Sequence, residues 1–137
     1  MKLIADSSSI MSALISDSSS RRIINKSSLQ FIIPEHVFTE IDEHKEEILS
    51  KSEMDRNKLN LMLSMIKEKM EIIPESEIKQ RDEAKKIMDK IDPDDTIFIA
   101  LGLSVKNEGI WSDDRHFEKQ DRIKVWKTED LLDYIDK

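Results

Sequence analysis

The sequence predicts an α/β fold with a mainly parallel sheet. Short apolar runs alternate with longer, charged stretches of helical spacing, the pattern of strands joined by helices. The chain holds only two glycines and three prolines, too few tight turns for an all-β design. At 137 residues it suits one domain with one core, spanning 1–137.

Each element follows from local pattern. KLIA (2–5) is a brief apolar run ended by Asp6 and serines, so a first strand and then a helix start. SDSSS (16–20) is a polar break rich in N-cap residues before RRIINK. LQFII (29–33) reads as a second strand stopped by Pro34. From Glu35 to about Ser50, Val37, Ile41 and Ile48 recur at helical spacing, with His44 in the stripe. A further helix spans about 55–69, with Leu59, Met62, Leu63 and Ile66 on one face and Leu61 and Met65 on another. EIIP (71–74) is a third strand. A helix carrying Ile78, Ala84, Ile87, Met88 and Ile91 follows. The run after Pro93, TIFIALGLSV (96–105), is apolar on every side. It reads as a buried helix, because GIWS (109–112) is the better fourth strand. IKVW (123–126) is the fifth strand, with Trp111 and Trp126 both in the core, and TEDLLDYI (128–135) is a closing helix capped by Thr128.

Composition removes several classes. With 22 basic and 29 acidic residues, net −7, the chain has no excess of positive charge to hold nucleic acid over a broad surface. An enzyme that meets nucleic acid at one local site is still compatible. The absence of cysteine excludes disulfides, thiolate nucleophiles and Cys-ligated zinc. The apolar part of MKLIADSSSI is too short for a signal peptide, and no run approaches the roughly 20 residues of a membrane span. The expectation is a cytosolic protein.

The acids carry the chemistry. In a parallel sheet, working groups gather at the C-terminal ends of the strands. Asp6 follows the first strand and Asp113–Asp114 follow the fourth. Asp94–Asp95 open the buried helix, where backbone N–H groups and the helix dipole favour an anion. Glu40 lies on the helix after the second strand, at the margin of its apolar stripe. Each acid alone has an ordinary reading: a helix cap for Asp6, a solvated acid for Glu40, dipole partners for Asp94–Asp95, and a turn with an Arg115 ion pair for Asp113–Asp114. Four such positions at one sheet edge are another matter. Carboxylates within a few Å of each other repel, and burial raises their pKa, unless a countercharge is supplied. Divalent cations supply it. A set of oxygen ligands with no cysteine, and only His116 nearby, suits Mg²⁺ or Mn²⁺ rather than zinc.

Taken together, LIADSSSI, IIPEHVFTEI and DDTIFIALGLSVKNEGIWSDDRHF resemble the PIN domain family, metal-dependent nucleases that include the VapC-like toxins. The resemblance covers nearly the whole chain. It implies a three-layer sandwich around a parallel sheet of about five strands. It implies Asp6, Glu40, Asp95 and Asp114 as catalytic residues, with Mg²⁺ or Mn²⁺ on Asp6, Asp95 and Asp114 and Glu40 completing the pocket directly or through water. Ser8 and Ser112 stand at the family's small polar positions, and Arg115 is placed to meet a substrate phosphate. Within the pairs Asp94/Asp95 and Asp113/Asp114 either member can be the ligand. The resemblance further implies an RNA substrate cleaved to a 5′-phosphate and a 3′-hydroxyl. It also implies a homodimer through the Leu/Met-rich helices 35–69 and, for a toxin, an antitoxin segment presenting Arg or Lys to the acids.

Other readings fit less well. DPDDT (92–96) looks like the DxDxT nucleophile motif of haloacid-dehalogenase phosphatases, but KKIMDKI before it is helical in spacing, not a strand. A receiver domain needs an acidic pair after its first strand, and here Asp6 stands alone. A catalytically silent PIN fold serving as a binding module for RNA or protein is the alternative function.

Overall fold

A computed structural model describes residues 1–16 and 18–136. Asp17, within the predicted polar break, and Lys137 lie outside the described residues. Five strands form one sheet: β1 (Lys2–Ala5), β2 (Gln30–Pro34), β3 (Met70–Ile73), β4 (Ile110–Trp111) and β5 (Val125–Trp126). Their order is β3-β2-β1-β4-β5, and every pairing is parallel. The C-terminal ends of all five strands therefore share one edge. Among the described residues eight helices flank the sheet: α1 (Ser7–Ile15), α2 (Ser19–Ile24), α3 (His36–Glu43), α4 (Lys45–Lys51), α5 (Arg56–Lys69), α6 (Arg81–Met88), α7 (Thr96–Ser104) and α8 (Thr128–Ile135). The result is the expected three-layer α/β sandwich.

The central strands are buried on both faces, as a covered parallel sheet requires. Leu3, Ile4, Ala5, Ile33, Ile110 and Trp111 have no exposed surface. Helix α7 covers most of the apolar run 96–105, which the sequence reads as a buried helix. It buries Phe98 through Gly102. Phe98 meets Phe117 edge-on at 6.3 Å, which locks the start of α7 to the loop after β4.

Several boundaries differ from expectation for local reasons. The helix predicted over 35–50 is two helices. At His44 the backbone leaves the helical region (φ −104°, ψ 13°), and its N–H is shared between the carbonyls of Glu40 and Ile41. The break turns His44 outward while Ile41 and Ile48 both stay buried. The helix predicted from Ile78 to Ile91 is confined to α6, because Gln80 adopts a left-handed conformation (φ 60°) just before it. Trp126 is not core. It sits on the edge strand, half-buried, with Lys124 Nζ 4.0 Å from its ring centre. The cap of α8 is Lys127, whose N–H donates to Asp130 Oδ2 at 2.9 Å, and Thr128 begins the helix. Leu61 and Met65 are exposed on α5, 63% and 51% respectively. No described helix is long and apolar enough to cross a membrane.

Gly109 sets the entry into β4. Its φ is +134°, and a Cβ there would lie 2.4 Å from the Lys124 carbonyl and 2.8 Å from the Trp126 ring. Both backbone strain and a clash with unyielding backbone follow from any side chain. Gly109→Ala is expected to lower stability by about 3 kcal/mol in urea titrations. A loss under about 1 kcal/mol would show that β4 tolerates a shift.

Candidate metal centre

The site is assembled from three segments that end at the same sheet edge. Asp6 leaves β1 and enters α1 at the N-cap position, where Oδ1 accepts from the Ser9 N–H at 2.9 Å. Its other oxygen accepts from Ser8 Oγ at 3.0 Å and from Ser112 Oγ at 2.5 Å. Ser112 follows β4, next to β1, and its Oγ also accepts the Asp114 N–H at 3.0 Å. One buried hydroxyl thus ties the first acid to the loop carrying the last. Asp6 is 3% exposed, and burial raises its pKa above the ordinary value, opposed in part by the hydrogen bonds from Ser112, Ser9 and Ser8.

Asp95 ends a 3-10 turn, Pro93–Asp95, that runs into α7. It occupies the N-cap position of α7, yet its side chain makes no capping bond. Its Oδ2 is buried and has no hydrogen-bond partner. Burial first, then the charges of Asp92, Asp114 and Asp6, push its pKa up from 3.8 to about 7, with His116 opposing. Asp92 and Asp114 lie beside it, both within 3.3 Å of the His116 Nδ1 that stands 3.7 Å from Asp95 Oδ2.

The members of the two aspartate pairs face different surroundings. Asp94 is exposed, while Asp95 faces the cluster. Asp113 turns away and holds the start of α8, accepting from the Thr128 N–H at 2.8 Å and from Thr128 Oγ1 at 2.6 Å. Asp114 stays with the cluster, its Oδ1 accepting the His116 N–H at 2.9 Å.

Two residues stand differently from the sequence picture. Glu40, on α3, pairs with His36 (Oε1 to Nε2, 3.0 Å) and takes no part in the hydrogen bonds around Asp6. Arg115 is exposed and, among the described residues, forms no ion pair with Asp113. One residue that belongs to the cluster enters the sequence reading only as the start of DPDDT: Asp92. Its Oδ1 caps the 3-10 turn by accepting the Asp94 N–H at 3.0 Å. The available signal was its place just before Pro93, where an aspartate commonly caps a turn.

The donor set fits a divalent cation. Asp92, Asp95 and His116 each offer a ligand atom within 4.8 Å of the other two. His116 Nδ1 is, like Asp95 Oδ2, a buried atom without a hydrogen-bond partner. Among the described residues no lysine or arginine pairs with Asp6, Asp92, Asp95 or Asp114, and His116 is the one basic group beside them. One buried and three partly buried carboxylates crowded in this way call for added positive charge.

Residues 4–136 match a family profile described as a PIN domain. The chain belongs to the PIN domain family. PIN domains are nuclease-type domains and generally use divalent metals, which agrees with unpaired acids at a strand-end cluster. A search of curated proteins gave no match to this PIN domain. Its family membership thus rests on the profile, and its site on the geometry above.

Proposed function

We propose that this PIN domain is a Mg²⁺- or Mn²⁺-dependent endoribonuclease. The observation that carries the reading is the convergence of Asp6, Asp92, Asp95 and Asp114 with, among the described residues, no lysine or arginine paired to them. Asp6, Asp95 and Asp114 would hold the cation. Such an ion, when bound, neutralises a phosphodiester and makes a water acidic enough to attack it near neutral pH.

The chain's own residues do the rest. Ser112 and Ser8 hold Asp6 in one rotamer, so its carboxylate is oriented before any ligand arrives. Helix α7, buried from Phe98 through Gly102, gives Asp95 a rigid base. Arg115, exposed and next in sequence to Asp114, would bind a substrate phosphate. Glu40 would complete the pocket from the β2 side, directly or through water. With a net charge of −7, RNA recognition is local or shared with a partner. The exposed Leu61 and Met65 on α5 favour a second copy as one such partner, and an antitoxin that presents a cation to the acids is another.

The test is cleavage of single-stranded and structured RNA with EDTA, Mg²⁺ or Mn²⁺, followed by end-group analysis. Products with 5′-phosphate and 3′-hydroxyl ends that need the cation support the enzyme. RNA affinity with no turnover under any cation supports the silent binding module. The neighbouring aspartates provide an internal control. Asp114→Asn is expected to lower the cleavage rate roughly a hundredfold with little change in melting temperature. Asp113→Ala should do the reverse, losing about 1 kcal/mol of stability through α8 while cleavage persists. Equal activity losses in the two variants would mean that the geometric assignment is wrong.

A further inference from the structure

We propose that Asp92, Asp95 and His116 form a cation position with a nitrogen ligand, and that this position selects Mn²⁺ over Mg²⁺. The inference rests on the nuclease reading only in sharing Asp95 with the cation proposed there.

The distances suit a common ion. His116 Nδ1 lies 3.0 Å from Asp92 Oδ2, 3.7 Å from Asp95 Oδ2 and 3.3 Å from Asp114 Oδ1. Ligands about 2.1 Å from one cation stand about 3.0 Å apart along an octahedral edge and about 3.4 Å apart along a tetrahedral one. The nitrogen-to-oxygen spacings fall around those two values.

An imidazolium acting as a plain countercharge would point its N–H at one carboxylate, since charge-assisted hydrogen bonds are short and straight. Here none of the three oxygens meets the ring N–H head-on, and Nδ1 has no hydrogen bond at all. The in-plane direction from Nδ1 that carries a proton in one tautomer carries a lone pair in the other. In the neutral ring Nδ1 can therefore offer a lone pair to a cation shared with the carboxylate oxygens 3.0–3.7 Å away.

The position is built rather than accidental. The 3-10 turn Pro93–Asp95, capped by Asp92 at its start and closed by Asp95 at its end, carries the two aspartates, and a second 3-10 turn, Arg115–Lys119, delivers the histidine. Phe117, fully buried against Phe98, pins the second turn to the first turn of α7. Asp114 Oδ1, holding the His116 N–H, fixes where the ring leaves the backbone.

Ligand type then sets the preference. Mg²⁺ favours oxygen and gives up its waters reluctantly, whereas imidazole nitrogen binds first-row transition ions more readily. An all-aspartate site has little means to separate the two ions; a histidine supplies one.

Calorimetric titration of the full chain with Mn²⁺ and with Mg²⁺ tests this, alongside His116→Gln and Asp6→Asn, each checked for fold by circular dichroism. The wild type is expected to bind Mn²⁺ at least about tenfold more tightly than Mg²⁺, and His116→Gln to bring the ratio near one. Pulsed EPR of the Mn²⁺ complex should show coupling to an imidazole nitrogen that His116→Gln removes. An unchanged ratio in His116→Gln, or no nitrogen coupling in the wild type, overturns the proposal. If that happens while Asp6→Asn still abolishes RNA cleavage, the nuclease reading stands without it. If the wild type neither binds a cation nor cleaves RNA, both fall.

Discussion

Asp6→Asn is expected to reduce metal-dependent RNA cleavage by roughly a hundredfold or more while leaving the fold intact. The amide is the same size and can keep the N-cap bond to the Ser9 N–H through its oxygen. Its NH₂ group replaces the oxygen that accepts from Ser8 and Ser112, but both hydroxyls can rotate to accept instead. What is lost is the charge, and with it a ligand. Burial already disfavours that charge, so the neutral amide should be at least as well tolerated in the core. A melting temperature equal to or above wild type, combined with collapse of activity, is the expected pair of results. Wild-type activity in a folded Asp6→Asn protein would remove Asp6 from the machinery and take the nuclease assignment with it.

The second large effect is on stability as a function of pH. In the folded chain Asp95 titrates at about 7, up from 3.8. Between those values the folded protein retains a proton that the unfolded chain has released. Stability therefore falls as pH rises through that window and levels off above it. The buried Asp6, also raised, contributes in the same direction. The Asp95 part is about 1–2 kcal/mol, less than a fully dry carboxyl would give, because solvent reaches the cluster and screens it.

In EDTA, melting temperature should drop from pH 5 to pH 7.5 more in the wild type than in Asp95→Asn. Adding Mn²⁺ should recover the loss at pH 7.5 and do little at pH 5, where protons compete for the carboxylate. Parallel curves for wild type and Asp95→Asn would show that Asp95 is not held near neutrality by its neighbours.

Much of this was legible from the chain itself. The alternation of apolar runs with helical stretches suffices for the parallel sheet, since each strand is short and largely apolar and each connection long enough to cross over. The acids at strand ends follow from that alternation, and quoted stretches such as IWSDDRHF are specific enough to suggest the family that the profile over residues 4–136 bears out. Boundaries were less legible where one residue outvotes a pattern. Gln80 in a left-handed conformation shortens α6, and His44 splits a helix whose apolar stripe reads as continuous.

What sequence alone determined is therefore which elements exist and that several carboxylates end at one rim. Which carboxylates share a charge environment was decided only by tertiary structure. Asp113 and Asp114 are adjacent and identical in chemistry, yet one is taken up by Thr128 and the other by the cluster. Asp92 and His116 are 24 positions apart, and nothing local to either relates them until Phe117 packs on Phe98 and closes the gap to 3.0 Å. The physical reason is range. Backbone preference and hydrophobic periodicity act over a few residues, whereas electrostatic coupling depends on distance through space, and that distance is set by how the core packs.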